Sequence, residues 1–207
     1  MKLERAWIAV LMVSGLMAAL PAAASARPVA TPPPAPPADC PAPSLFPALT
    51  AFGDSRSYFI APGGTFDSSA WSLAGGATLT GGSGPLQLGA AEGTLKLPAG
   101  GSATSRAFCV DLDYPTMRFF SAQLAPRSSS KLDVDVIYPA RGESNPKAAT
   151  VSNGTSAWEL SPDVRLRPDR VDRDGGWRQV QIRFRADKSA SGDWRVDDVL
   201  VDPRMRG

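Results

Sequence analysis

Gly192-Asp193-Trp194-Arg195-Val196-Asp197-Asp198-Val199-Leu200-Val201-Asp202-Pro203 packs apolar residues and carboxylates into one β-favouring stretch near the end of a 207-residue chain. Its alternation changes phase midway. Trp194 and Val196 share one face of an extended strand, and Val199 and Val201 share the other. A sandwich core needs a single face, so the slip predicts a bulge at Asp197-Asp198. Two adjacent acids at a bulge need a reason: a cation, backbone donors or solvent.

Working back from this strand, period two dominates. Leu132, Val134, Val136 and Tyr138 alternate with Asp133, Asp135 and Ile137, and Val180, Ile182 and Phe184 alternate with Gln179, Gln181 and Arg183. Leu95 and Leu97 flank Lys96, and Leu86 and Leu88 flank Gln87. Residues 70–74, 77–81, 102–111, 116–124, 149–152 and 156–160 read as further strands. Gly75-Gly76, the run from Gly81 to Pro85, Pro98-Ala99-Gly100-Gly101 and Asn153-Gly154 punctuate them. Asn153-Gly154-Thr155 also fits the glycosylation pattern, but a hairpin turn accounts for it. No helical period lasts three turns. The expectation is an all-β antiparallel sandwich of about 8–10 strands in one domain.

The N-terminus reads as a secretory signal over residues 1–26. Lys2 and Arg5 precede an apolar run from Ala6 to Leu20, shorter than the ~20 residues of a membrane span, and Ala24-Ser25-Ala26 offers a cleavage site. A retained anchor is the other reading. No later run is apolar enough for a membrane span. Cys40 follows Pro37-Ala38-Asp39 and so lacks the flanks of a lipoprotein cysteine. Residues 27–44 hold Pro28, Pro32, Pro33, Pro34, Pro36, Pro37, Pro41 and Pro43, an extended spacer that leaves 45–207 as the compact domain. A secreted or envelope-associated protein is expected.

Losing Lys2, Arg5 and Glu4 takes the net charge from +2 to +1, which gives nucleic-acid binding no electrostatic support. The chain has two cysteines and no histidine, which excludes zinc sites of the usual type. In an oxidising compartment Cys40 and Cys109 are expected to pair, closing a loop of about 70 residues worth roughly 4 kcal/mol in the chain-entropy model. Two free thiols are the alternative.

Gly63-Gly64-Thr65-Phe66-Asp67 followed by Trp71-Ser72-Leu73-Ala74-Gly75-Gly76-Ala77, and the closing Trp194-Arg195-Val196-Asp197-Asp198-Val199, resemble the first and last strands of jelly-roll carbohydrate-binding modules. Residues 58–204 as a whole resemble a group of small secreted actinobacterial proteins of unknown function. Ala61-Pro62-Gly63-Gly64, Leu97-Pro98-Ala99-Gly100, Cys109-Val110, Arg118-Phe119-Phe120 and Asp197-Asp198-Val199 carry that likeness. The resemblance implies a galactose-binding-like jelly roll without naming a ligand. It also implies a structural calcium held by Asp67 and one of Asp197 or Asp198, with carbonyls of Gly63 or Thr65 adding to the six to eight oxygens calcium takes. Surface acids beside Arg195 are the alternative.

Three polar faces invite comparison: Arg118 with Phe120, Asp133 with Asp135, and Gln179, Gln181 and Arg183. If these strands are neighbours, they form a patch of carboxylates, guanidinium and amides beside Trp158 or Trp177, a mixture suited to sugars. A cross-strand Arg–Asp ladder is the competing reading. Trp71 and Trp194 fit core positions. Trp158 and Trp177 serve either a ligand surface or the capping of an open sandwich end.

Two motifs lead elsewhere. Gly53-Asp54-Ser55 mimics an esterase nucleophile block, but such a serine needs a basic partner and this chain lacks histidine, so the segment reads as a turn. Asp169, Asp172 and Asp174 before Gly175 miss the calcium-loop spacing because Arg170 stands where an acid belongs. Paired acids suffice for glycoside hydrolysis, yet no pair stands out among Glu92, Glu143, Glu159 and the aspartates. A non-catalytic module for carbohydrate or a cell-envelope polymer is expected. A structural or adhesive envelope protein without a small ligand is the alternative.

Overall fold

The chain divides into two units, Met1–Pro33 and Pro34–Gly207. The computed structural model describes residues 40–82, 84–88, 93–124, 130–152, 155–166, 177–188 and 193–202, all in the second unit. The expected signal segment, most of the expected spacer, Glu92, Asn153-Gly154 and residues 169–175 lie outside the described residues.

Thirteen strands are described: β1 (Phe59–Ile60), β2 (Trp71–Ala74), β3 (Thr78–Thr80), β4 (Thr94–Leu97), β5 (Ser102–Ser105), β6 (Phe108–Val110), β7 (Thr116–Gln123), β8 (Leu132–Tyr138), β9 (Glu143–Val151), β10 (Glu159–Leu160), β11 (Val164–Arg165), β12 (Arg178–Ala186) and β13 (Trp194–Asp202). The only helical turns among the described residues are two three-residue 3-10 turns. The excess over the expected count comes from short pieces. The predicted 102–111 strand is two strands, β5 and β6, that follow one another along β12. β1 and β4 likewise share one edge of β13, and β10 and β11 share one edge of β7. The strand predicted around Leu86 and Leu88 is instead a turn. Both side chains pack on the outside of a sheet, and Gln87 adopts a left-handed φ of 50°, which breaks a strand.

Sheet A runs β10-β7-β13-β4-β3, with β1 on β13 and β11 on β7. Sheet B runs β2-β5-β12-β8-β9, with β6 on β12. All pairings are antiparallel. The chain passes back and forth between the sheets, which is jelly-roll winding. The alternating residues read from the sequence line the core. Leu95, Met117, Phe119, Trp194 and Val196 come from sheet A, and Ala103, Leu132, Val134, Val136, Val180, Ile182 and Phe184 from sheet B. Phe119 meets Phe184 edge-on across the sheets at 4.8 Å. Trp71 and Trp194 are buried in this core, and the Trp194 indole donates to Ser130 Oγ at 2.8 Å.

The bulge lies where the phase slip places it. The β13–β7 register shifts between Asp197 and Leu200, and Asp198 takes a φ of 50°. Trp194, Val196, Val199 and Val201 thereby all reach one core, while Leu200 turns outward. The Gly63-Gly64 turn docks on the bulge through Ala61 N to Val199 O and Val199 N to Gly64 O, both 2.9 Å. A Cβ on Gly64 would stand 2.8 Å from Val199 O, so the close approach requires glycine.

Candidate functional site

The two outer faces of the sandwich differ. Sheet A presents Phe120 and Leu200 outward, yet neither is exposed. Residues 46–58 run across them as a strap. Leu49 and Tyr58 form a second small core with both, joined by Phe46, Ala48, Leu86, Leu88, Trp158 and Leu160. Charges fasten the strap. Arg56 contacts Asp54 and Asp202 at 2.6 Å each, Arg118 reaches Asp54 at 3.3 Å and Asp163 at 3.4 Å, and the Tyr58 hydroxyl donates to Asp54 at 2.6 Å. The Arg56 hydrogen bonds hold the Asp54 carboxyl well below the usual carboxylate range, against the effect of burial. Asp54 is therefore a structural anion, and the turn reading of Gly53-Asp54-Ser55 holds: Gly53, at φ 77°, ends the 3-10 turn Thr50–Phe52.

The outer face of sheet B carries no such cover of described residues. β12 and β8 are neighbours there, with Arg183 opposite Asp135 and Arg185 opposite Asp133. Asp135 has no exposed surface. Its Oδ2 accepts from Arg183 Nε (2.9 Å) and Arg185 Nε (2.8 Å), and its Oδ1 from Arg185 Nη2 (3.1 Å) and the Lys147 backbone N–H (2.9 Å). The last donor exists because β9 shifts register beside Asp135 and Lys147 adopts a φ of 52°, which points an N–H into the sheet face. Burial pushes this carboxyl up, but the bonds from Arg185, Lys147 and Arg183 outweigh it and hold it below its ordinary value. Asp133 accepts from Thr150 Oγ1 at 2.7 Å and lies 3.4 Å from Lys147 Nζ and 3.6 Å from Arg185. Gln181 Nε2 donates to the Ser105 carbonyl at 3.0 Å.

The expected patch is thus only partly assembled. Asp133, Asp135, Gln181 and Arg183 share one face and form the Arg–Asp ladder. Arg118 lies on β7 in the opposite sheet, where it fastens the strap. Trp158 is on that opposite side as well, with the Arg195 guanidinium 4.9 Å from its ring centre. Trp177 precedes β12 and packs on Tyr114 at 5.6 Å. Arg185, Lys147 and Thr150 were not singled out from the sequence. Arg185 continues the Gln181–Arg183 alternation and was legible, whereas Lys147 depends on a bulge that the pattern does not announce.

At the closing strand, Asp197 and Asp198 are 3% and 1% exposed. Gly84 N–H donates to Asp197 Oδ2, Leu86 N–H to Asp198 Oδ2 at 3.2 Å, and Asp198 N–H to Asp197 Oδ1 at 2.8 Å. Burial, then the neighbouring Asp198, pushes the Asp197 carboxyl up to about 7, and burial raises Asp198 too. The pair clasps the 84–86 turn to the bulge. Asp67, in the docked turn, is exposed. Among the described residues no three acidic, histidine or cysteine side chains are grouped to hold a metal. Cys40 and Cys109 form a disulfide. Beside it, Pro41, Pro43, Phe59, Pro62, Phe108 and Gln179 line a cleft of about 290 Å³.

No protein-family model matches this chain, and no curated protein does. Solved structures are similar. TmCBM61 in complex with β-1,4-galactotriose gives a TM-score of 0.42 at 14% identity over 70% of this chain and 98% of that one. The CBM22-1 xylan-binding domain from Paenibacillus barcinonensis Xyn10C gives 0.43 at 10% identity over 66% and 86%. The K1 cleaved adhesin domain of Lys-gingipain from Porphyromonas gingivalis W83 gives 0.43 at 14% identity over 66% and 92%. The strand order of the chain itself is that of a jelly-roll sandwich. Among the described residues the β5-β12-β8-β9 face has no cover, and the other face is roofed by the strap.

Proposed function

We propose that this chain is an exported, non-catalytic module that holds a polysaccharide or another cell-envelope polymer on the outer face of sheet B. The observation that supports this reading is the contrast between the two faces. One is covered by residues 46–58. The other offers Gln181, Arg183, Arg185, Lys147 and Thr150 side by side on a rigid sheet. Planar groups fixed by the protein itself lose little freedom when they bind, which favours weakly binding, repetitive ligands. Asp135 is held below its ordinary carboxylate value by Arg185, Lys147 and Arg183, so it is not poised to donate a proton as a general acid.

A structural or adhesive envelope role is the second reading. It is favoured by the mutual pairing of the ladder charges and by the engagement of Trp158 and Trp177 within the protein. A glycan array, backed by pull-down on insoluble polysaccharides with the full mature chain, separates the two. Retention on at least one polymer supports the module; none on any leaves the structural role. Calcium at Asp67 with Asp197 or Asp198 rests on the resemblance. Its test is thermal melting with calcium and with chelator: a rise in Tm with calcium supports the site, and superimposed curves remove it. N-terminal sequencing of exported protein should begin at Arg27 if cleavage follows Ala26.

A further inference from the structure

The charges of the sheet B face are arranged in depth, and this decides which polymer the face suits. Asp135 is fully buried and the Asp133 side chain is 10% exposed, whereas the Arg183 and Arg185 side chains are each 37% exposed and Lys147 is 64% exposed. Negative charge lies beneath and positive charge above. Three cations over two anions leave one net positive charge, and the charged groups of the ladder most exposed to solvent are the three cations. Each guanidinium commits Nε and Nη2 to carboxylates, which fixes its plane and, among the described residues, leaves Nη1 for a partner. A fork locked in this way matches an oxyanion at reduced entropic cost. Among the described residues no aromatic platform for a neutral sugar ring joins the array, because Trp158 lies on the far side and Trp177 packs on Tyr114.

We propose that the β8–β12 face binds an acidic polysaccharide through carboxylates on its sugar units, with Arg183, Arg185 and Lys147 as the recognising groups. This rests on the binding-module reading and narrows its ligand. Arg183 and Arg185 point to the same side two residues apart, about 7 Å along the strand, so a polymer lying along β12 meets both at once.

The test uses the full mature chain and four probes: polygalacturonate, its fully methyl-esterified form, poly(glycerol phosphate) and poly-glutamate. Binding to polygalacturonate, weakened by added salt and lost on esterification, is the expected result. Lys147→Glu reverses an exposed charge and should weaken binding by on the order of tenfold with Tm little changed. Arg183→Lys keeps the charge and removes the fork, and should weaken it as well. The outcomes are distinct. Equal or better binding to the ester overturns the acidic ligand and leaves the module reading standing. Preference for poly(glycerol phosphate) overturns the carboxylate, and equal binding to poly-glutamate overturns the sugar. Binding to none of the four, with none on a neutral glycan array, overturns both readings.

Discussion

Asp197 is held by backbone N–H groups in a buried bulge beside a second carboxylate, and its protonation is therefore tied to stability. Its folded-state value of about 7 lies above the ordinary 3.8. The fold favours the protonated form, so its contribution is complete below about pH 4 and is lost as pH rises through 7. Asp54 has the opposite sign. Its value is depressed, so its contribution is present above pH 4 and is lost as pH falls further. In chelator-containing buffer, the Tm of Asp197→Asn relative to the unaltered protein should climb between pH 5 and pH 8. Parallel melting curves across that range would disprove the assignment. At Asp135 the expectation is a loss. Asp135→Ala strands the Lys147 N–H and separates two guanidiniums from their anion, at a cost of about 2 kcal/mol in urea unfolding. That is below the cost of breaking a fully buried pair, because both arginines can rehydrate.

Among the elements, the strap separates what the sequence discloses from what it hides. Strand identities in 94–97, 116–123, 132–138, 178–186 and 194–202 follow from period two, and the bulge follows from a phase slip in one strand. Which sheet a strand joins does not follow. Arg118 and Asp135 both alternate with core residues, and only the winding sends one to sheet A and the other to sheet B. Asp54, Arg56 and Tyr58 also recur at every second residue. Their partners Asp202, Arg118 and Asp163 are far along the chain, so a local reading sees only a turn. Phe120 reads as outward and exposed, but the strap buries it, with Phe52 5.0 Å from its ring. Phe120→Ala should therefore cost about 3 kcal/mol, as a core phenylalanine does. Tyr58→Phe should cost about 1 kcal/mol through the lost bond to Asp54. A cost near zero for Phe120→Ala would mean that the strap is not seated in solution.

At the scale of the whole molecule, one covalent link ties the strap's start to sheet B. The Cys40–Cys109 disulfide spans 69 positions and joins the segment before the strap to β6. Replacing both cysteines by serine should lower stability by about 4 kcal/mol, read as a shift of the urea midpoint. An unchanged midpoint would show that the pair adds nothing to the folded state.

The central place of β13 has a consequence in time. The strand that joins β1, β4 and β7 into sheet A is the last of the described strands, and Phe59 finds its partner only at Val201. Synthesis delivers those residues only after β1, β4 and β7 have emerged. A nascent chain that stops short of Trp194 leaves β4 and β7 with an unpaired edge each and lacks Trp194, Val196, Val199 and Val201 from the core. Contacts this distant in sequence make folding slow and all-or-none, and an unfinished sheet is prone to aggregate. Arrival of β13 (Trp194–Asp202) thus sets the moment at which sheet A can close.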